Sequence, residues 1–227
     1  MTRQSASIFH LYRRPGSTLT KQQPELVCSC WTSCGDVAPL QAHEVSTFGI
    51  ADRVTAISRA GWNGLGIGQD DLALIDHTMG FPRLRQIIAD AGLKYTHLEV
   101  MTGWWSEEGE SDQARSREEL LLRAANDLGA QHIKATAALE QRRASLDYLA
   151  SAIEPLIIRA SDAGVNIALE PLPFSQVPTL ATGAQMVEAL GRANLGWLSI
   201  LGRYLTELSH FRRLRQRFKI VGYLRSS

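Results

Sequence analysis

The amino-acid sequence predicts an α/β protein whose main domain is an incomplete (β/α)8 barrel, the architecture also called a TIM barrel. Three observations support this prediction. Runs of β-forming residues alternate with helical stretches from residue 25 to residue 196, and successive strands begin roughly 30 to 37 residues apart, the length of a βαβ unit. Each strand is apolar on one face and small or polar on the other. The strands of an open sheet covered by helices on both sides are apolar on both faces, so a barrel with a polar interior fits better.

About five strand–helix units are expected in this range. In chain order, the strands are predicted over residues 26–31, 63–68, 94–101, 131–136 and 165–170, and the helices over 46–59, 81–91, 113–128, 143–163 and 183–190. A glycine follows each of the first four helices, and glycine readily adopts the left-handed conformation that ends a helix. Thr182 is predicted to cap the start of the last helix. A complete barrel usually needs about 250 residues, so roughly two and a half units are missing.

The two faces of the predicted strands differ in a consistent way, because side chains alternate between the faces along a strand. The apolar face contains Leu65, Ile67, Leu98, Val100, Ile133, Ala135, Val165, Ile167 and Leu169. The opposite face contains Gly64, Gly66, Gly68, His97, Glu99, His132, Lys134 and Glu170. The second set is therefore predicted to line the barrel interior.

The formal net charge of +1 hides an uneven distribution along the chain. Residues 1–24 include four basic residues and no acidic ones, residues 197–227 include seven basic residues and one acidic, and residues 25–196 have a net charge of −9. We interpret residues 1–24 as a disordered basic N-terminal extension, 25–196 as the partial barrel and 197–227 as an aberrant basic tail.

The sequence argues against several functional classes. No apolar run approaches the roughly 20 residues of a membrane-spanning helix, so no membrane partner is expected. No glycine-rich phosphate-binding motif opens a helix, and the acidic barrel segment opposes binding to nucleic acid. The only cysteines, Cys28, Cys30 and Cys34, are odd in number and close together, which argues against a disulfide framework and favours a reducing cytoplasmic location. A zinc site there needs a fourth ligand, and the nearest histidine is His43, so buried or loop thiols are expected.

The candidate site lies at the C-terminal ends of the predicted strands, where parallel βα barrels have their active sites. A charge inside a barrel is costly unless a metal, an opposite charge or a ligand compensates for it. Glu170 and Glu99 are therefore candidate catalytic residues and Lys134 a candidate substrate-binding residue, although a buried ion pair of Glu170 with Lys134 explains the same pattern. Trp104 and Trp105 are candidates for binding the apolar side of a sugar ring, and the alternative is packing beneath a loop.

Three stretches of the sequence resemble the same protein family. They are Ala-Gly-Trp-Asn-Gly-Leu-Gly-Ile-Gly at 60–68, Tyr-Thr-His-Leu-Glu-Val-Met-Thr-Gly-Trp-Trp at 95–105 and Val-Asn-Ile-Ala-Leu-Glu-Pro-Leu-Pro at 165–173. They resemble the sugar phosphate isomerase/epimerase family, whose fold is the xylose isomerase-like TIM barrel, over about residues 25–196. The resemblance implies an incomplete barrel of this type, a small sugar-like substrate, and proton transfer next to a carbonyl of a small sugar or inositol derivative.

The resemblance also implies a divalent metal, Mn²⁺, Mg²⁺ or Zn²⁺. Family members typically bind it with a Glu from strand five, an Asp from strand six, a His from strand seven and a Glu from strand eight, and only the first matches a residue of this chain, Glu170. The two glutamates also form the family's acid/base pair, so activity is expected to be impaired. The chain departs from the family at Trp197, and a one-base shift in the codons of 196–202 can give Val-Ala-Val-Asp-Thr-Trp. Residues 197–227 are therefore interpreted as a frameshift product.

Two other functions remain open. A metal-dependent endonuclease of the abasic-site type shares the barrel, but the acidic barrel segment opposes its binding to DNA phosphates. A non-catalytic barrel fragment exposes strand edges and apolar surface, and is either unstable or stabilised by pairing with another chain, such as a second copy in a homo-oligomer. Binding of Mn²⁺ or Mg²⁺ through Glu170 favours the enzyme over the fragment.

Overall fold

The structure, a computed structural model, describes residues 7–10, 25–39, 41–105, 112–139, 144–198 and 221–224. The described strands are β1 (Ser7–His10), β2 (Glu25–Cys28), β3 (Gly64–Gly68), β4 (Tyr95–Met101), β5 (His132–Thr136), β6 (Asn166–Glu170), β7 (Leu195–Trp197) and β8 (Val221–Leu224). All of them belong to one sheet with the order β7-β6-β5-β4-β3-β2-β1-β8.

The strands β2 to β7 form a parallel, curled half-barrel. Each strand pairs with the next one in the sequence, as in a βα barrel, whereas the strand order reverses within a doubly wound sheet. The predicted fold class, an incomplete (β/α)8 barrel, is confirmed. Beyond β2 the sheet continues with β1, which is antiparallel to β2, and with β8, which is antiparallel to β1. The boundaries at residues 24 and 196, drawn from composition, stay predictions.

The described residues form seven helices. They are α1 (Cys30–Ser33), α2 (Ile50–Arg59), α3 (Gln69–Thr78), α4 (Phe81–Asp90), α5 (Asp112–Leu128), α6 (Leu146–Asp162) and α7 (Leu180–Leu190). Among the helices in the described part of the chain, none is long and apolar enough to cross a membrane. Gly61, Gly92, Gly129 and Gly164, which were predicted to follow helices, have φ between +65° and +82°.

The elements differ from the prediction in several respects. The strand predicted over residues 26–31 ends at Cys28, and Cys30–Ser33 form the short helix α1, which was not predicted. The helix α3 was not predicted; it follows β3 directly and buries Leu72 and Ile75, which lie three residues apart on one face. The last helix starts at Leu180, and its cap is Thr179, whose hydroxyl oxygen accepts the backbone N–H of Thr182 at 3.0 Å. Thr182 therefore lies in the first turn of α7, and the prediction that it caps the helix is wrong.

The main core lies between the sheet and the helices. Strand residues Leu65, Ile67, Leu98, Ile133 and Ile167 are at most 1% exposed, as are helix residues Val54, Leu72, Leu84, Leu121 and Ile153. Full burial of one such side chain stabilises a fold by about 1.5–3 kcal/mol. Neighbouring strands pack their apolar faces against the helices, and this packing fixes the register of the strands. The register in turn fixes the positions of the polar residues on the opposite face.

One strand departs from strict alternation. The pairing of β4 with β5 shifts between Leu98 and Met101, so β4 contains an extra residue at this point. As a result Met101, which is 3% exposed, belongs to the core, where alternation predicted Val100. Bulges of this kind redirect side chains near functional sites, and this one lies beside Glu99.

Candidate functional site

Three charged side chains meet near the C-terminal ends of neighbouring strands: Glu99 in β4, Lys134 in β5 and Glu170 in β6. The ammonium nitrogen of Lys134 lies 2.5 Å from Oε2 of Glu99 and 3.3 Å from Oε2 of Glu170. All three side chains are less than a tenth exposed. We call them the Glu–Lys–Glu cluster. The structure thus brings together the charged residues selected from the sequence, and it contains the ion pair between Glu170 and Lys134 that was the structural alternative.

Glu99 is the most firmly held member of the cluster. The hydroxyl of Ser29 donates to Oε1 of Glu99 at 3.2 Å, and the backbone N–H of Cys30 donates to the same oxygen at 3.2 Å. Ser29 and Cys30 follow β2 directly, so these bonds join β2 to β4 across the intervening strand β3. Glu99 is therefore fixed by two strands besides its own, since Lys134 belongs to β5.

Gly66 in β3 leaves the space that the Glu99 carboxylate occupies. A Cβ atom at this position would lie 2.3 Å from Oε1 of Glu99 and 2.9 Å from the backbone nitrogen of Cys30. Both distances are shorter than any normal contact, so a larger residue requires the carboxylate and the backbone to move. The small inward-facing residues predicted for β3 thus leave the space that the carboxylate of Glu99 on β4 requires.

Burial and charge act on Glu99 in opposite directions. Burial raises the pKa of a carboxyl group, because the charged form loses its hydration. The positive charge and hydrogen bond of Lys134 and the donors of Cys30 and Ser29 together outweigh this effect, and the pKa of Glu99 is lowered below its ordinary value. Glu170 differs from Glu99, because among the described residues its only ionic or hydrogen-bonding partner is Lys134.

Trp104 and Trp105 lie in the loop that follows β4. The indole N–H of Trp104 donates to the backbone carbonyl of Thr136 at 2.9 Å, which ties the loop to the end of β5. The two rings meet edge to face with their centroids 5.5 Å apart, and both pack partly buried against the core. Tyr148 also donates its hydroxyl to the carbonyl of Trp105 at 2.5 Å. These contacts give both tryptophans a packing role, and their binding of a sugar stays a prediction.

A second buried ion pair supports the loops at the same end of the sheet. Asp71, in the first turn of α3, pairs with Arg53 of α2, and their side chains are 7% and 2% exposed. The other carboxylate oxygen of Asp71 accepts the backbone N–H of Ser46 at 2.8 Å, and neighbouring Asp70 accepts the N–H of Glu44 at 3.0 Å. Both aspartates therefore hold the loop before α2.

Two buried histidines lie on the inward face of β4 and β5. The rings of His97 and His132 stack with centroids 3.8 Å apart and an angle of 29° between their planes. They pack against each other deeper along the strands than the cluster, as expected for interior histidines.

The described residues lack the ligands that the implied metal requires. In the described part of the chain, no group of three or more His, Cys, Asp or Glu side chains is arranged to hold a metal ion. Glu170, the one family ligand present, contacts an ammonium group. The described residues therefore do not fit a complete Mn²⁺, Mg²⁺ or Zn²⁺ site.

The three cysteines are free thiols and all are buried. Burial raises the pKa of the Cys28 thiol to about 11, and it also raises the pKa of Cys30 and Cys34. Neutral, buried thiols are poor nucleophiles, which agrees with the expectation of buried thiols.

The cysteines are expected to react slowly with Ellman's reagent in the folded protein. At pH 8 a thiol with a raised pKa has little of the reactive thiolate form. We expect labelling to be at least ten times slower in native buffer than in urea, where three equivalents should react. Fast reaction of one equivalent under native conditions contradicts this prediction.

Sequence reasoning missed some residues that build the site. Ser29 directly follows β2, two residues after buried Val27, and this parity was an available signal for it. Asp71 could have been found as an acidic residue just after a strand, but its partner Arg53 lies on a helix whose orientation is set only by packing.

The sequence also matches one family profile. The xylose isomerase-like TIM barrel matches residues 54–199, more than half of the chain. A search of curated proteins gave no match.

Solved structures share the fold. The probable 3-DHS dehydratase of Bacillus anthracis is 14% identical with a TM-score of 0.62, and the alignment covers 86% of this chain and 70% of that one. The 3-keto-D-glucoside 4-epimerase of E. coli is 18% identical with a TM-score of 0.58, and the alignment covers 76% of this chain and 73% of that one. The IOLI protein with a bound zinc atom is 14% identical with a TM-score of 0.60, and the alignment covers 78% of this chain and 63% of that one. The chain spans less than two thirds of the length of six of the solved structures that it matches.

Proposed function

Because this chain belongs to the xylose isomerase-like TIM barrel family, we propose that it is an isomerase- or epimerase-type protein that transfers a proton next to the carbonyl group of a small sugar or inositol derivative. The observation that carries the proposal is the Glu–Lys–Glu cluster, which lies where barrels of this kind have their active sites. Relatives named as a sugar epimerase and a probable dehydratase support this class of reaction.

In this proposal Glu170 is the acid/base residue. Its carboxylate removes a proton from the carbon beside the carbonyl, and the electron pair of the C–H bond moves into an enediolate. Return of the proton to the same face of that carbon regenerates the substrate, and return to the opposite face gives its epimer. Return to the former carbonyl carbon gives an isomer, while the hydroxyl proton of the first carbon passes to the former carbonyl oxygen. Glu170 suits this role because its only partner among the described residues is Lys134, at 3.3 Å. Only this contact has to lengthen before the carboxylate can accept a proton from the substrate.

Lys134 binds the substrate oxygen in this proposal. Its ammonium group donates a hydrogen bond to the carbonyl and stabilises the negative charge that develops there. Glu99, predicted as a second catalytic residue, is proposed to hold Lys134 in place, because its carboxylate already accepts bonds from Ser29, Cys30 and Lys134. Trp104 and Trp105 are proposed to flank the substrate.

The remaining expectations are proposals of the same kind. A relative has a bound zinc atom, but the described residues do not complete a site for the divalent metal implied by the resemblance, and no step above uses a metal. A small sugar-like ligand, the absence of a nucleic-acid partner, a cytoplasmic location and formation of a homo-oligomer also stay predictions.

A second candidate function is that of a non-catalytic barrel fragment. The observation in its favour is the burial of the cluster, because the side chains of Glu99, Lys134 and Glu170 are only 3%, 8% and 6% exposed. In that case the cluster holds three strands together and binds no substrate.

Exchange of carbon-bound hydrogen with solvent distinguishes the two functions. The full chain is incubated in D₂O with D-fructose or a 3-keto-D-glucoside, and loss of the C–H signals beside the carbonyl is followed by proton NMR. We expect exchange above the protein-free rate and a rate at least ten times lower for Glu170→Gln. The matched control is Glu154→Gln, because Glu154 forms an exposed ion pair with Arg192. Equal rates for the wild type and Glu170→Gln would leave the non-catalytic fragment as the better description.

A further inference from the structure

We infer that the ammonium group of Lys134 takes the cation position beside Glu170 and opposes the binding of a divalent metal there. The inference rests on the proposed function in one respect, which is that Glu170 is the ligand-facing carboxylate. It follows from the contacts of Lys134, described next.

The ammonium group of Lys134 is held between two carboxylates. Its ammonium nitrogen is 2.5 Å from Oε2 of Glu99 and 3.3 Å from Oε2 of Glu170, and the side chain is 8% exposed. Because the side chain is buried, the ammonium group cannot move into solvent without leaving Glu99 unpaired inside the fold. Loss of such a pair is strongly destabilising.

Glu99 makes this arrangement stable. Its other oxygen accepts the hydroxyl of Ser29 and the N–H of Cys30, both at 3.2 Å, and the absence of a side chain at Gly66 leaves room for the carboxylate. Glu99 therefore cannot turn away to release Lys134 without leaving those two donors unsatisfied. The lysine is held from the side of β2 and β4, and its ammonium group contacts Glu170 of β6.

A metal ion at Glu170 would compete directly with this ammonium group. Divalent ions bind carboxylate oxygens at about 2.0–2.6 Å, so an ion on Oε2 of Glu170 would lie within about 6 Å of the lysine nitrogen. In a buried site two positive charges at this separation repel each other strongly, because little water screens them. The carboxylate therefore binds one cation at a time, and the covalently attached one is always present.

This assignment explains why the described residues do not fit the metal that the family implies. The chain has its own positive charge at the strand ends, where it can stabilise a substrate oxyanion. It also predicts that removal of the lysine charge creates a carboxylate pair, Glu99 and Glu170, that attracts a divalent ion.

Calorimetric titration of the full chain with Mn²⁺ at pH 7.5 tests the inference. Lys134→Gln should bind Mn²⁺ at least ten times more tightly than the wild type, and the double variant Lys134→Gln/Glu170→Gln should lose this gain. The matched control is Lys94→Gln, since Lys94 forms an exposed ion pair with Glu25 and should titrate like the wild type. A gain smaller than tenfold for Lys134→Gln, or the same gain for Lys94→Gln, would overturn the inference.

A second comparison decides the question if Lys134→Gln does not fold. The inference requires the wild type and Glu170→Gln to have the same affinity for Mn²⁺, because Lys134 already occupies Glu170. A loss of affinity of tenfold or more in Glu170→Gln shows that Glu170 binds the metal beside Lys134, and it rejects the inference. Neither titration involves turnover, so absence of hydrogen exchange would reject the proposed function alone.

Discussion

Replacement of Asp71 by alanine is expected to lower the free energy of unfolding by about 3–5 kcal/mol, the usual result of removing one partner from a buried ion pair. The guanidinium of Arg53 is 2% exposed and pairs with Asp71, and its Nη2 is buried with no hydrogen-bond partner among the described residues. Its other bond is a 3.2 Å contact from Nε to the hydroxyl of Ser33. Without Asp71 a buried positive charge has no counter-charge, and the backbone N–H of Ser46 loses its acceptor.

Urea unfolding at pH 7, followed by circular dichroism, measures this loss. The matched control is Glu154→Ala, because the pair of Glu154 with Arg192 is 40% and 46% exposed and such surface pairs contribute about 1 kcal/mol or less. The variant Arg53→Met/Asp71→Ala should recover part of the loss, since it removes the unpaired charge. A change for Asp71→Ala no larger than that of the control contradicts the prediction.

Replacement of Glu99 by alanine is the second large effect, with an expected loss of about 3 kcal/mol. The loss has three sources: Lys134 loses its 2.5 Å ion pair with Glu99, and the donors of Ser29 and Cys30 lose this acceptor. Glu99→Gln fills the same space and still accepts hydrogen bonds, so it should be less destabilised than Glu99→Ala. Equal stability of the wild type and Glu99→Ala contradicts a structural role for this carboxylate.

The pH dependence of unfolding gives an independent test of Glu99. Burial raises the pKa of Glu99, but the charge and hydrogen bond of Lys134 and the donors of Cys30 and Ser29 together lower it below its ordinary value of 4.5 in the folded protein. As the pH falls below 4.5, the unfolded chain takes up a proton at this position before the folded protein does. The stability contributed by Glu99 is thus complete above pH 4.5 and is lost as the pH falls through the lowered pKa. Urea unfolding between pH 3 and 6 should show the advantage of the wild type over Glu99→Gln shrinking in that window.

The order of strands and helices was readable from the sequence because it depends on local patterns. The alternation along 165–170, for example, sets which side chains share a face whatever the rest of the chain does. The helix α3 was missed because its apolar residues are consecutive, without helical spacing, and only the burial of Leu72 and Ile75 in the core shows one apolar helix face. The bulge in β4 was also hidden, because an extra residue in a strand becomes visible only when its neighbour is in place.

The sequence by itself determined the fold class, the family resemblance and the three charged residues at the strand ends. It left two interpretations of Glu170, as a metal ligand and as an ion-pair partner of Lys134. Both interpretations require the same residues on the inward face of the strands, so the sequence pattern does not separate them. Only the tertiary structure decided that the ammonium group lies between the two carboxylates, and that Ser29, Cys30 and Gly66 fix Glu99 there. The physical reason is that the paired groups belong to different strands, far apart in the chain. Their distances depend on sheet register and burial, which are set by the packed core as a whole.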